Sequence, residues 1–144
     1  MAAATFSEVL PTGPAHDGND QGFWDGLRAG ALCLPRCAAC GTWRTVGRPL
    51  CADCWSFDST WEPVRAAGTV FSWARSQRQL MSELDVAVPY VSIVVALDDV
   101  PVRLLGLLVG TDQAPRIGDR VVGEIQRPAN AEWPVLRWRP EVAA

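Results

Sequence analysis

Lysine is absent from this 144-residue chain, and histidine and tyrosine occur once each, as His16 and Tyr90. Without lysine there is no Schiff-base amine and no phosphate-clamping P-loop cation, and neither the P-loop nor the Gly-x-Gly-x-x-Gly pattern occurs. His16 lies in "MAAATFSEVLPTGPAHDGNDQG", which has no periodic apolar pattern. A general base needs a fixed position, so His16 reads as a solvated loop residue. Ser72, Ser76, Ser82 and Ser92 have no Gly-x-Ser-x-Gly setting. No apolar run approaches the roughly 20 residues that span a bilayer. The N-terminal stretch lacks the basic and long apolar regions of a secretory signal, so the expected compartment is the cytoplasm, with no membrane partner. A positive excess is also missing. Thirteen basic residues, all Arg, face 16 acids for a net charge of -3, and neither residues 1–65 nor 66–144 are basic. Nucleic-acid binders usually show a clear basic excess, so none is expected as a partner.

What is present is cysteine in a pattern. Four of the five cysteines fall in "CAACGTWRTVGRPLCADC", as Cys37, Cys40, Cys51 and Cys54. A Cys-x-x-Cys knuckle turns both sulfurs toward one point. Two knuckles together offer four sulfurs in a tetrahedron, which suits one Zn²⁺ at about 2.3 Å from each. The spacer "GTWRTVGRPL" has room for a short hairpin between the knuckles, with Gly47-Arg48-Pro49 as turn material. Four protein sulfurs leave zinc no open position, so the site is expected to be structural, its binding free energy contributing to folding. A thioredoxin-like motif would need a βαβ setting, and none is visible. Four thiolates also hold iron in rubredoxin-like sites, an alternative left open by the spacing. Cys33, in apolar "LCL", reads as a small buried hydrophobe; as a reactive thiol or substitute ligand it lacks an activating neighbour.

Around the cluster the pattern is mainly β. Residues 1–20 read as a flexible lead-in. "QGFWDGLRAGA" suits a short helix with Phe23, Trp24 and Leu27 on one side and Gly30 at its end. "LCLPRC" is extended, and a strand-like segment surrounds Trp61. Residues 21–65 thus form a helix plus ribbon. From residue 66 to 144, "TVFSWARSQ", "YVSIVVALDD", "PVRLLGLLVG", "RVVGEIQR" and "VLRWRP" read as five strands, with "MSELDVAV" and "TDQAPRIGD" as loops and Asp98-Asp99 as a turn. Five short strands with one long connection fit an OB-type barrel. The seven Trp exceed what a small ribbon can bury, so Trp43, Trp55 and Trp61 cannot all be internal, and exposed ones would mark an interface.

The order "FWDGLRAGALCLPRCAACGTW", "CADC", "GTVFSWA", "PYVSIVVALDD…VRLLGLLVG" and "IGDRVVGEI" resembles the acyl-CoA-associated zinc-ribbon/OB-fold proteins over roughly residues 21–140. These small subunits accompany thiolase-like enzymes and, in some steroid-degrading bacteria, acyl-CoA hydratases or aldolases. The resemblance implies a helical segment, a zinc ribbon on the four cysteines and a C-terminal OB barrel. It also implies docking on a thiolase-like or lipid-transfer-protein-like partner that carries the catalytic residues, and help in binding acyl-CoA. The chain departs from the family at Trp55, where Gly is common, and in the extra Cys33. For phosphate contacts Arg75, Arg78 and Arg103 are the candidates, with Tyr90 lining a groove. A single-stranded nucleic-acid-binding ribbon/OB module is the alternative function, and a self-sufficient hydrolase or iron electron carrier a third.

Overall fold

The computed structural model describes residues 13–79, 87–129 and 131–142. Residues 1–12 of the expected lead-in, residues 81–86 of the expected loop and Ser82 lie outside that description.

Helix α1 spans Gln21–Arg28. It stops where Gly30 takes φ +87° and the amide of Ala31 bonds to the Gly26 carbonyl at 2.8 Å, a glycine-ended helix terminus. The Asp20 carboxylate accepts from the Ala15 amide and from Trp24 Nε1. Strands β1 (Leu32–Cys37) and β2 (Ser59–Val64) pair antiparallel, with Pro35 opposite Trp61. The helix lies close on this ribbon because Gly22 has no side chain; a Cβ there would fall inside the Trp61 indole.

Five further strands follow: β3 (Ala67–Ser76), β4 (Tyr90–Leu97), β5 (Arg103–Leu108), β6 (Arg120–Gln126) and β7 (Val135–Pro140). They close in the order β3-β4-β5-β7-β6, with β5 and β7 parallel through Leu108 and Trp138. The five expected strands are all found, and they close as an OB-like barrel. Strand β3 bulges between Val70 and Ser72, where a barrel wall needs extra curvature.

Val70, Ile93, Val95, Val121 and Trp138 are fully buried and fill the barrel. Trp138 fits because Gly106 faces it: a Cβ at Gly106 would stand 2.6 Å from the indole. Leu32 and Leu34 of β1 join the same hydrophobic cluster, so ribbon and barrel share apolar burial. The helix reaches the β6–β7 connection through Arg28, whose guanidinium lies 3.4 Å over the Trp133 ring, and through Arg127, which donates to the Arg28 carbonyl. Asp98 and Asp99 do end β4 at a turn, and they also accept from Arg65 and Arg120. Among the described residues no helix is long and apolar enough to cross a membrane.

Candidate metal centre and ligand cleft

Both knuckles are built the same way. After Cys37 and Cys40 the chain turns at Gly41 (φ +79°), and after Cys51 and Cys54 it turns at Trp55 (φ +64°). The amides of Gly41 and Trp55 bond back to the carbonyls of Cys37 and Cys51 at 3.0 and 3.1 Å. The turn needs a left-handed residue, a conformation that favours glycine, and Trp55 adopts it without being glycine.

The spacer departs from the expected hairpin between knuckles. Its first residues run back along the end of β1 instead, through the Arg36–Trp43 bridge and hydrogen bonds from Cys37 N to Thr42 O and from Arg44 N to Pro35 O, each 2.8 Å. The first knuckle is therefore the loop of this short pairing. A turn closed by Arg48 N and Thr45 O then leads to the second knuckle.

The sulfurs of Cys37, Cys40, Cys51 and Cys54 all lie within 4.8 Å of one another. Cys37 and Cys54 are 3.5 Å apart and Cys40 and Cys51 3.6 Å. A tetrahedral metal at about 2.3 Å from each sulfur requires edges of about 3.8 Å, so the quartet fits a metal ion, and the site is a structural metal site by its donor set. The electrostatics agree. Backbone N–H groups of Cys40 and Ala39, with Arg44, bring the Cys37 thiol down to about 5. The amides of Cys54 and Asp53 lower Cys51. At Cys54 the Ser56 amide lowers, but the neighbouring sulfurs of Cys37 and Cys40 outweigh it and push the thiol up to about 12. Four sulfurs this close resist ionising together unless a cation sits among them. Cys33 stands outside the quartet. It is half-buried, its thiol raised by burial, and it packs against α1, where a Cβ at Gly26 would come 2.9 Å from its Sγ.

Of the candidate ligand residues, the structure brings some together. Arg75 pairs in register with Val91 beside Tyr90, whereas Arg103 pairs with Ala96. Five residues along β4 separate the two ends, about 17 Å. Arg75 and Arg78 are exposed near the Tyr90 end. Arg103 stacks 3.7 Å over the Phe71 ring at the other end. Tyr90 borders a cleft of about 420 Å³ with Leu107, Leu108, Val135, Arg127 and Arg137. Arg137 was not singled out by sequence reasoning. It is half-buried, burial lowers its proton affinity, and it has no carboxylate partner among the described residues. Its position between Leu136 and Trp138 in an alternating strand gave no signal of its own. His16 is exposed, as a loop residue should be. Of the ribbon tryptophans, Trp43 and Trp61 are half-buried and Trp55 is 75% exposed.

With this geometry in place, residues 61–126 match the family model of the ChsH2 C-terminal OB-fold domain. The family likeness expected from the sequence, to acyl-CoA-associated OB-fold accessory proteins, is shown. A solved structure described as an Ltp2-ChsH2(DUF35) aldolase superposes with a TM-score of 0.78 at 29% identity, covering 90% of this chain and 100% of that one. A Sulfolobus solfataricus protein of unknown function from the DUF35 family superposes with a TM-score of 0.57 at 17% identity, over 89% of this chain and 87% of that one; it supports the fold alone. A "Probable enoyl-CoA hydratase alpha subunit" of Thermomonospora curvata is 36% identical over 117 residues, which are 79% of this chain and 33% of that protein. The chain thus spans one third of that relative's length.

Proposed function

We propose that this chain is a non-catalytic accessory subunit of an acyl-CoA-processing complex. In this reading it docks on a thiolase-superfamily partner, an acyltransferase or retro-aldolase, and the four cysteines hold one structural Zn²⁺. The observation that carries the proposal is the superposition, over 90% of this chain and 100% of the other, on a chain of the structure described as an Ltp2-ChsH2(DUF35) aldolase. The hydratase-subunit relative supports an acyl-CoA setting. The quartet of sulfurs supports zinc, because four protein ligands at tetrahedral spacing suit a closed structural site. Free thiols fit a reducing compartment such as the cytoplasm.

Docking is supported by large apolar side chains left in solvent: Trp55 and Phe57 beside the second knuckle are 75% and 73% exposed, and Leu105 on the barrel is 77% exposed. Such residues cluster at partner surfaces more often than at random. Contact with acyl-CoA is supported by the cleft of Tyr90, Arg127 and Arg137. It offers cations for phosphate and an apolar floor, with Arg75 and Arg78 at the same end of β4. Arg103, turned onto Phe71 at the far end, takes no part in this reading.

The test is co-expression with candidate thiolase-like subunits, native mass spectrometry of what co-purifies, and assay of the isolated chain. A stable heteromer and no turnover of acyl-CoA by this chain alone are expected. Turnover by the isolated chain sinks the accessory role. For the cleft, Arg137→Gln should weaken CoA binding by about 10- to 100-fold, the loss of one charge-assisted hydrogen bond, whereas Arg103→Gln should leave it unchanged. Equal effects of the two would remove the cleft from the reading.

A further inference from the structure

Arg44 is the one buried charged side chain among the described residues, at 4% exposure. Its Nη1 donates to the Pro49 carbonyl at 2.8 Å, and its Nη2 donates to the Ser56 and Asp58 carbonyls at 2.9 Å each. These three carbonyls belong to the spacer, the exit of the second knuckle and the approach to β2. One guanidinium therefore ties together the three chain segments that surround the sulfurs. No carboxylate pairs with it among the described residues, and its Nε is buried without a hydrogen-bond partner. A buried cation without an anion, and a buried donor without an acceptor, are each costly.

The missing partner stands beside it. The Ser56 and Asp58 carbonyls that take the guanidinium also accept the amides of Cys51 and Ala38, so Arg44 lies against both knuckles. Four thiolates around a divalent ion carry a net charge of about -2, and that charge sits in the same small ribbon as the unpaired guanidinium. We propose that Arg44 is the resident counter-cation of the four-cysteine centre, its orphaned Nε–H donating to the metal-bound Cys37 sulfur while its Nη groups hold the two knuckles in register. The inference rests on the metal centre of the proposed function. It adds that the ribbon supplies its own charge compensation, and that the centre's affinity and its resistance to acid depend on a residue that is not a ligand.

Two variants and one wild-type measurement test it. In Zn²⁺ competition against a chromophoric chelator, Arg44→Met should lose about 10- to 100-fold in affinity, the usual range for an outer-shell partner, and should release metal at a higher pH than wild type. Arg44→Lys keeps the charge but not the fork. It should recover most of the pH shift while regaining only part of the affinity. A purely mechanical role predicts instead that Lys and Met behave alike, and that result overturns the inference, as does wild-type affinity in Arg44→Met. Should the variants not fold, wild-type protein labelled with ¹⁵N and loaded with ¹¹³Cd²⁺ gives the answer. A scalar coupling from the metal to Arg44 Nε–H is expected, and its absence, with couplings to knuckle backbone amides present, overturns the proposal. A wild-type chain that takes up neither ion overturns the metal centre itself and this inference with it. Uptake without the Arg44 effects overturns the inference alone.

Discussion

The two knuckles contain a matched pair of positions that isolates one energetic term. Gly41 and Trp55 occupy the same place after their Cys-x-x-Cys pairs, both left-handed, at φ +79° and +64°. An L-residue held there costs about 1–2 kcal/mol, of which the greater unfolded-state freedom of glycine takes back about 0.5–1 kcal/mol. The net advantage of glycine over alanine at either site is therefore about 1 kcal/mol. Space does not interfere at Gly41: a Cβ there would meet only the Arg36 guanidinium, at 3.7 Å. Gly41→Ala should accordingly destabilise the metal-loaded protein by about 1 kcal/mol. At the other knuckle, Trp55→Ala should be less stable than Trp55→Gly by a similar amount. Trp55 itself is 75% exposed, so its residual contact is about 50 Å², or about 1 kcal/mol at 25 cal/mol/Å². That offsets the strain, and Trp55→Gly should be close to wild type. Urea unfolding at fixed free metal concentration measures all three variants. Because metal binding and ribbon folding are linked, the same differences should appear as about 5-fold changes in metal affinity. Equal stability of Trp55→Ala and Trp55→Gly, or a neutral Gly41→Ala, would refute the reasoning. If Trp55→Gly is as stable as wild type yet binds the partner subunit less well, the indole is held at a strained position for contact, not for folding.

At Gly68, an added Cβ would meet Val95 Cγ1 at 2.8 Å and the backbone of Ala96; backbone in a closed barrel cannot step aside, so Gly68→Ala should cost at least about 1–3 kcal/mol in urea unfolding, and a change below 0.5 kcal/mol (a rough threshold for surface substitutions) counts against the barrel packing. The Arg120 guanidinium, with Arg65 beside it, holds the Asp98 carboxyl below its usual range. A depressed carboxyl stabilises the fold above its unfolded pKa, and the contribution is lost as pH falls through the folded value. Asp98→Asn should therefore lower the melting temperature at pH 7 and approach wild type near pH 3, the comparison cancelling any metal loss common to both; a gap independent of pH would speak against the pair. Chelation should loosen the ribbon first, seen as faster amide exchange at Thr42 and Arg44 than at Ile93 of the barrel, since Cys37 and Cys51 are buried at the sulfur cluster and Ile93 is not linked to it; uniform exchange across the chain would contradict local dependence on the metal.

Much of the fold was legible because its signals are local. Strands β4 and β7 alternate or run apolar between turn residues, and the Cys-x-x-Cys spacing fixes sulfur geometry without knowledge of anything distant. Trp55 was visible as an oddity in the right place, although only the backbone shows that the site is left-handed. The less legible features are all long-range. Gly106 matters because Trp138, far along the chain, lies on it. Arg44 stands in the spacer as one arginine among thirteen, and its burial depends on carbonyls that only the closed ribbon brings to it. The hairpin expected between the knuckles failed for a related reason: the spacer found better partners in the free edge of Pro35–Cys37 than within itself. Arg103 fell away from the other candidate cations because register, not sequence distance, decides which end of a barrel a side chain occupies.

Where this chain can meet a ligand follows from how its interior is filled. The barrel has no lumen to offer: Trp138 is fully buried and so close to Gly106 that not even a methyl group fits between them. The sulfur quartet has no open coordination position if one ion takes all four. A bound molecule must therefore lie in a seam on the outside. Among the described residues two such seams are present, one between the base of the ribbon and β6, lined by Leu32, Val64 and Ile125, and one at the Tyr90 end of the barrel. Both include Arg127, but only the second adds a half-buried guanidinium with no carboxylate to satisfy it among the described residues, that of Arg137. Desolvating a cation without an anion is unfavourable, and a phosphate or carboxylate arriving from outside would remove that cost. Among the described residues the first seam has no such unsatisfied charge, so an anionic ligand distinguishes the two by binding energy alone.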